Sequence, residues 1–173
     1  MALLKRLYDR LHLKINESKS AVASAFGRKF LGYSLWAAPK GEVKRAVSKK
    51  ARETFKRRIR QLTRRSGGRS VAEVVEALRR YVLGWKAYFG LAQTPKIWRE
   101  LDEWMRHRMR TIQLKQWRRG TTIYRELRAL GASEKVVLLV AKNSRRWARN
   151  SRMALNSELT IAYFDRLGMP RLS

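Results

Sequence analysis

SVAEVVEALRRYVLGWKAYF, residues 70–89, is the stretch on which the fold turns. Ser70 with Glu73 three residues later spells a helix-opening capping box. Behind it Val71, Val74, Val75, Leu78, Tyr81, Val82, Trp85, Tyr88 and Phe89 recur at helical spacing, so one amphipathic helix is expected. Gly84 inside it reads as a point of close helix approach rather than a break. Upstream, Val47, Ala51, Phe55, Ile59 and Leu62 form a second stripe that ends at Ser66, Gly67 and Gly68. Downstream, Thr94 and Pro95 make an N-cap and N1 pair opening a third helix through Ile97, Leu101, Trp104, Met105, Met109 and Ile112. Short connections between three such helices predict a compact bundle.

Further out the signals weaken. Two shorter helices are expected near 122–130 and 133–142, divided by Gly131, then a loop at 143–152 and a last helix at 156–167 closed by Gly168 and Pro170. At the other end Leu3, Leu4, Leu7 and Leu11 give a helix over 2–11 with no capping residue, which reads as one that once had more chain before it. Residues 13–46 mix apolar and polar types at short range. Strands are predicted at 20–23, 29–36 and 42–47, with PKG at 39–41 as a turn. The expected fold class is mainly α: a three-helix bundle with a short N-terminal α/β appendage and extra short C-terminal helices.

Charge narrows the function. Lys and Arg number 41 against 13 Asp and Glu, a net charge of +28 in 173 residues. Such self-repulsion is relieved by a polyanion, and nucleic acid is the usual one. The longest apolar run, VVLLVA at 136–141, is far short of the ~18 residues of a membrane span, so no membrane partner is expected. The N-terminus lacks the apolar core of a signal peptide and there is no cysteine, which makes the cytoplasm the default compartment.

Three clusters carry the charge. In the first, Lys49, Arg52, Lys56, Arg57, Arg60 and Arg64 cover the polar side of the 48–62 helix, with Arg65 just beyond; only Glu42 and Glu53 lie within 40–69. Like charges at i, i+4 destabilise a helix, and a bound phosphate backbone removes that penalty. The second comprises Arg106, Arg108, Arg110, Lys115, Arg118 and Arg119. The third, Lys142, Arg145, Arg146, Arg149 and Arg152, surrounds Trp147. Of six tryptophans, Trp85 and Trp104 sit on apolar faces, while Trp117 and Trp147, set among arginines, are candidates for stacking on bases.

Catalytic chemistry is hard to find. Asp9, Asp102 and Asp165 are the only aspartates, and no two suit a two-metal pair. His12 and His107 are isolated and read as ordinary surface histidines. No phosphate-cradling glycine loop is present. No catalytic residues, metal site or cofactor are expected.

Several segments, taken in order, resemble one family. LKINESKS at 13–20 and Phe30, Leu31, Gly32 and Tyr33 are similar to the end of a reverse-transcriptase palm, the second piece to its primer grip. FKRRI at 55–59, Arg69–Ser70, LRRY at 78–81 and GWKAYF at 84–89 resemble the group II intron maturase-specific domain. YREL at 124–127, Trp147, Leu155–Asn156 and AYFDRLG at 162–168 are similar to the C-terminal end of bacterial members. The resemblance implies a palm remnant at 1–47 and a thumb-like maturase domain, domain X, at 48–173 that grips intron RNA and assists its splicing. Structured RNA is the implied partner; an RNA/DNA duplex and a finger–palm polypeptide supplied elsewhere are further ones. The catalytic aspartates of complete members would lie before Met1, and Lys19 matches a motif lysine that assists pyrophosphate departure there. On its own the chain is therefore expected to be no enzyme. Alternatives are a reverse-transcriptase thumb acting with a separate palm, and a generic basic DNA-binding protein.

Overall fold

The computed structural model describes residues 2–16, 20, 22–152 and 154–173. Its elements run α1 (Ala2–Arg10), β1 (Lys29–Phe30), β2 (Tyr33–Ala37), β3 (Val43–Val47), α2 (Lys49–Leu62), α3 (Val71–Tyr88), α4 (Pro95–Trp117), α5 (Gly120–Ala129), α6 (Glu134–Lys142), α7 (Trp147–Arg152) and α8 (Ile161–Arg166). The chain is mainly helical, with a small three-stranded antiparallel sheet of order β1-β2-β3 near its N-terminus.

The three long helices start where capping chemistry places them. Ser48 Oγ accepts from the Ala51 N–H (3.3 Å). At α3 the Ser70 hydroxyl accepts from the Glu73 N–H (3.2 Å) while the Glu73 carboxylate accepts from the Ser70 N–H (2.7 Å). Those bonds to the charged form hold the Glu73 pKa below the usual carboxylate value. Thr94 departs from expectation: its hydroxyl makes no capping bond and is buried without a partner. The fixed φ of Pro95 at N1, not a side-chain cap, starts α4.

The core lies where the apolar stripes meet. Phe55 and Ile59 of α2, Val74, Val75, Leu78 and Val82 of α3, and Leu101, Met105, Met109 and Leu114 of α4 are all buried. It continues through Ile123, Leu127, Val137 and Val140 into the α5–α6 pair and through Leu155, Leu159 and Phe164 into the C-terminal segment. A Cβ on Gly120 would come within 2.8 Å of the Ala141 carbonyl oxygen, so the start of α5 closes directly on the end of α6. Gly84 does the opposite. A Cβ there would meet nothing, and the close approach read from the sequence does not exist.

The appendage differs from its strand expectations in two places. The 29–36 strand is broken by a two-residue turn, because Leu31 (φ 48°) and Gly32 (φ 82°) both have positive φ and pair Phe30 with Tyr33. Ser20, Val22 and Ala23 form no strand; Ala21 lies outside the described residues, as do Glu17, Ser18 and Lys19 of the LKINESKS motif. Helix α1 appears as expected, but its leucines are exposed. Two C-terminal expectations also change. Trp147–Arg152 is a helix rather than loop, and the last helix is only Ile161–Arg166, opened by Thr160, whose hydroxyl accepts from the Tyr163 N–H (3.4 Å).

Candidate nucleic-acid interface

Helix α2 carries the surface cations on a ridge with two flanks. On the first, β1, the end of β3 and α2 enclose a groove of about 1090 Å³ lined by Arg28, Lys29, Lys49, Lys50, Arg52 and Arg57, with Glu53 the one acid on its wall. The hairpin forming its far wall is pinned in place. The Tyr33 hydroxyl donates to the Tyr88 carbonyl (2.7 Å), the Tyr88 hydroxyl donates to the Leu31 carbonyl (3.0 Å), and the Ser48 N–H donates to the Gly32 carbonyl (2.9 Å). Phe30 and Leu31 stay exposed at the tip while Gly32 and Tyr33 pack inward. The primer-grip-like tetrapeptide is thus a turn clamped between α2 and the end of α3.

On the second flank the cations surround tryptophans. Lys56, Arg60 and Arg108 stand 5.7, 5.6 and 5.5 Å from the centre of the Trp104 ring, and Arg65 is 5.1 Å from that of Trp147. Arg108 is held in position by Thr63: its Nε donates to the Thr63 hydroxyl (2.6 Å) and its Nη2 to the Thr63 carbonyl (3.2 Å). Burial, then the charges of Arg60 and Arg65, lower the Arg108 pKa from its ordinary value, the mark of a crowded cationic cluster. Lys115 Nζ donates to the Arg65 carbonyl (2.5 Å), tying α4 to the end of α2.

The sequence-predicted residues therefore divide. Lys49, Arg52 and Arg57 face the groove; Lys56, Arg60 and Arg65 join the tryptophan flank; Arg64 is exposed at the end of the ridge. Arg145 and Arg146 are exposed in the turn before Trp147, whereas Arg118 and Arg119 are exposed at the α4–α5 junction. Trp117 and Trp147 are half-buried against the core, and the Trp147 Nε1 is buried without a partner. Sequence reasoning missed Arg28 and Lys29, which reach the groove only because the hairpin folds back on α2.

Three residues take roles unlike their sequence reading. Arg110 is buried, donating to the Leu159 (3.0 Å) and Ser151 (3.5 Å) carbonyls, so it ties the C-terminal segment to α4 instead of meeting solvent. His107 is not on the open surface: its Nδ1 lies 2.8 Å from the Ser151 hydroxyl beside Arg108, Arg110 and Arg152. Asp102 is buried and accepts from the Leu172 and Ser173 N–H groups (both 2.9 Å) and from the Ser173 hydroxyl (2.7 Å). Each was unreadable because its partners are some forty to seventy residues away.

Among the described residues the ion pairs are Lys44–Glu42, Arg125–Glu126, Arg128–Glu134 and Arg171–Asp165, and none draws on α2. No group of three or more His, Asp or Glu among them could hold a metal ion, and no helix is long and apolar enough to cross a membrane. Fold and site together define a basic helical domain with an open cationic groove. Residues 52–131 match the family model for the group II intron, maturase-specific domain, from within α2 to the turn after α5. That match supports a group II intron maturase C-terminal region. No curated protein matches the chain.

Proposed function

We propose that the chain is an RNA-binding, maturase-type domain that clamps structured RNA, group II intron RNA in the first place, and has no polymerase activity of its own. The carrying observation is the α2 ridge: Lys49, Lys56, Arg57, Arg60, Arg64 and Arg65 take part in none of the ion pairs among the described residues, and most lie inside the matched segment. Phosphates supply the counter-charge that this fold lacks. Residues 1–47 serve as the end of a reverse-transcriptase-like palm and 48–173 as the maturase domain, working in the cytoplasm. Arg118, Arg119, Arg145 and Arg146 extend the contact to phosphates beyond the ridge. Titration of purified protein with folded intron RNA and with duplex DNA at two salt concentrations tests this. Tighter RNA binding at both supports the reading, and equal affinity points to a generic DNA binder instead.

A second reading, a thumb acting with a palm supplied elsewhere, is favoured by the clamped Phe30–Tyr33 turn beside the groove. Primer extension that appears only when a finger–palm polypeptide is added would support it.

A further inference from the structure

The basic groove has an annex that nothing so far assigns. Between the Leu31–Gly32 turn, α2 and α3 lies a slot of about 470 Å³. Tyr81 and Trp85, four residues apart on one face of α3, form its aromatic wall, with buried Phe89 just past the helix end closing its base. Phe55 braces that wall from behind, 4.3 Å from Trp85 and 5.6 Å from Tyr81 between ring centres. The rim carries Lys29 and Lys50, and no acid lines the slot. Both lysines, with Ser48 and Thr54, also line the large groove, so the two spaces adjoin.

We infer that this slot takes an unstacked base of the bound RNA while the lysines at its rim hold the adjoining phosphates. Size, chemistry and position agree on that occupant. The volume falls within the roughly 300–1,000 Å³ of small-ligand pockets. Aromatic walls accept any base by its π-face, and splayed single-stranded nucleotides are the form in which proteins reach RNA bases. A purely apolar occupant would leave two lysines unused at the entrance, and a free phosphate would leave the aromatic wall unused. A base with its phosphates uses both. Gly32 lets the turn pack directly on the Phe89 ring, since a Cβ there would come within 3.0 Å of it.

The inference rests on the RNA-binding reading, and the test separates the two. The full chain is titrated with three RNA duplexes: perfectly paired, with one bulged nucleotide, and with the same bulge abasic. Base capture should tighten binding to the nucleotide bulge by about tenfold over both others. Equal, measurable binding to all three overturns the slot and leaves the RNA reading standing. Loss of binding to all three overturns the RNA reading itself. Ala51→Leu, which places side chain at the slot and outside the groove wall, should erase the bulge preference and keep duplex affinity; a folded variant that retains the preference overturns the inference. Should that variant not fold, a bulged 4-thiouridine decides with the unaltered protein. Crosslinks at Tyr81 or Trp85 support the slot, and crosslinks at Trp117 or Trp147 overturn it.

Discussion

Gly84 and His107 show how little a residue type says before its neighbours are known. Gly84 is exposed inside α3 with open space where a Cβ would stand, so it gives flexibility to the unfolded chain and nothing to packing. Gly84→Ala should therefore stabilise the protein by about 0.5–1 kcal/mol, read as a raised denaturant midpoint at unchanged slope. Destabilisation would place a ligand or a neighbouring element against that face. His107 responds to pH. Burial first, then Arg152, Arg110 and Arg108, hold its pKa below the usual 6.5, against the opposing Ser151 hydrogen bond. A depressed pKa means that the unfolded chain takes up the proton more readily. The neutral ring's contribution is thus complete above about pH 6.5 and lost progressively as pH falls below it. The melting temperature of the native protein should fall more steeply from pH 7 toward pH 5 than that of His107→Gln, and parallel profiles would remove His107 from the account.

At the level of elements, the second informative glycine has the opposite sign. Gly120 opens α5 against the Ala141 carbonyl at the end of α6, and a methyl group would intrude to 2.8 Å from that oxygen. Gly120→Ala should cost about 1–3 kcal/mol despite the better helix propensity of alanine. A melting midpoint unchanged from wild type would mean that the α5–α6 pair opens without penalty. On α2 the two flanks can be separated. Arg57 faces the groove and Arg60 the Trp104 cluster, and neither supports the buried Phe55–Ile59 stripe. Each change to Gln should lower the slope of log affinity against log salt by about 0.9 if its flank contacts RNA phosphate. Binding along the groove alone shifts the slope only for Arg57→Gln, and binding around Trp104 alone only for Arg60→Gln.

The whole molecule sets a large excess of positive charge around a continuous buried core. The ridge, the groove and the Arg145–Arg146 turn offer enough cations to neutralise roughly 6–10 phosphates, so RNA affinity should fall by about 10³–10⁵ between 50 and 200 mM salt. A drop of less than about tenfold would mean that most of the +28 remains solvated in the complex. Elsewhere the surplus is put to structural use. Buried Arg110 holds the C-terminal segment through two carbonyls, and half-buried Arg108 joins α4 to Thr63. Lys86 Nζ donates to the Arg171 carbonyl (3.2 Å), which helps bring the chain's end back onto α3.

What the sequence determined by itself was everything set by neighbours within a few residues. Ser70 with Glu73, Pro95 and the apolar stripes of α2, α3 and α4 act over one or two helical turns, so helix positions and most core-facing residues were legible; Tyr88, read on the α3 stripe, is exposed instead. The basic ridge was legible too, because charge density along one helix needs no partner to be read. Tertiary structure alone decided where the chain doubles back. It broke the 29–36 strand at two positive-φ residues and carried Arg28 and Lys29 across to α2. It buried Asp102 beneath backbone groups seventy residues away and set Tyr81 and Trp85 at the edge of the groove. Such contacts arise when a loop closes and apolar surface is buried, and their partners are too far apart in sequence for any local pattern to record the meeting.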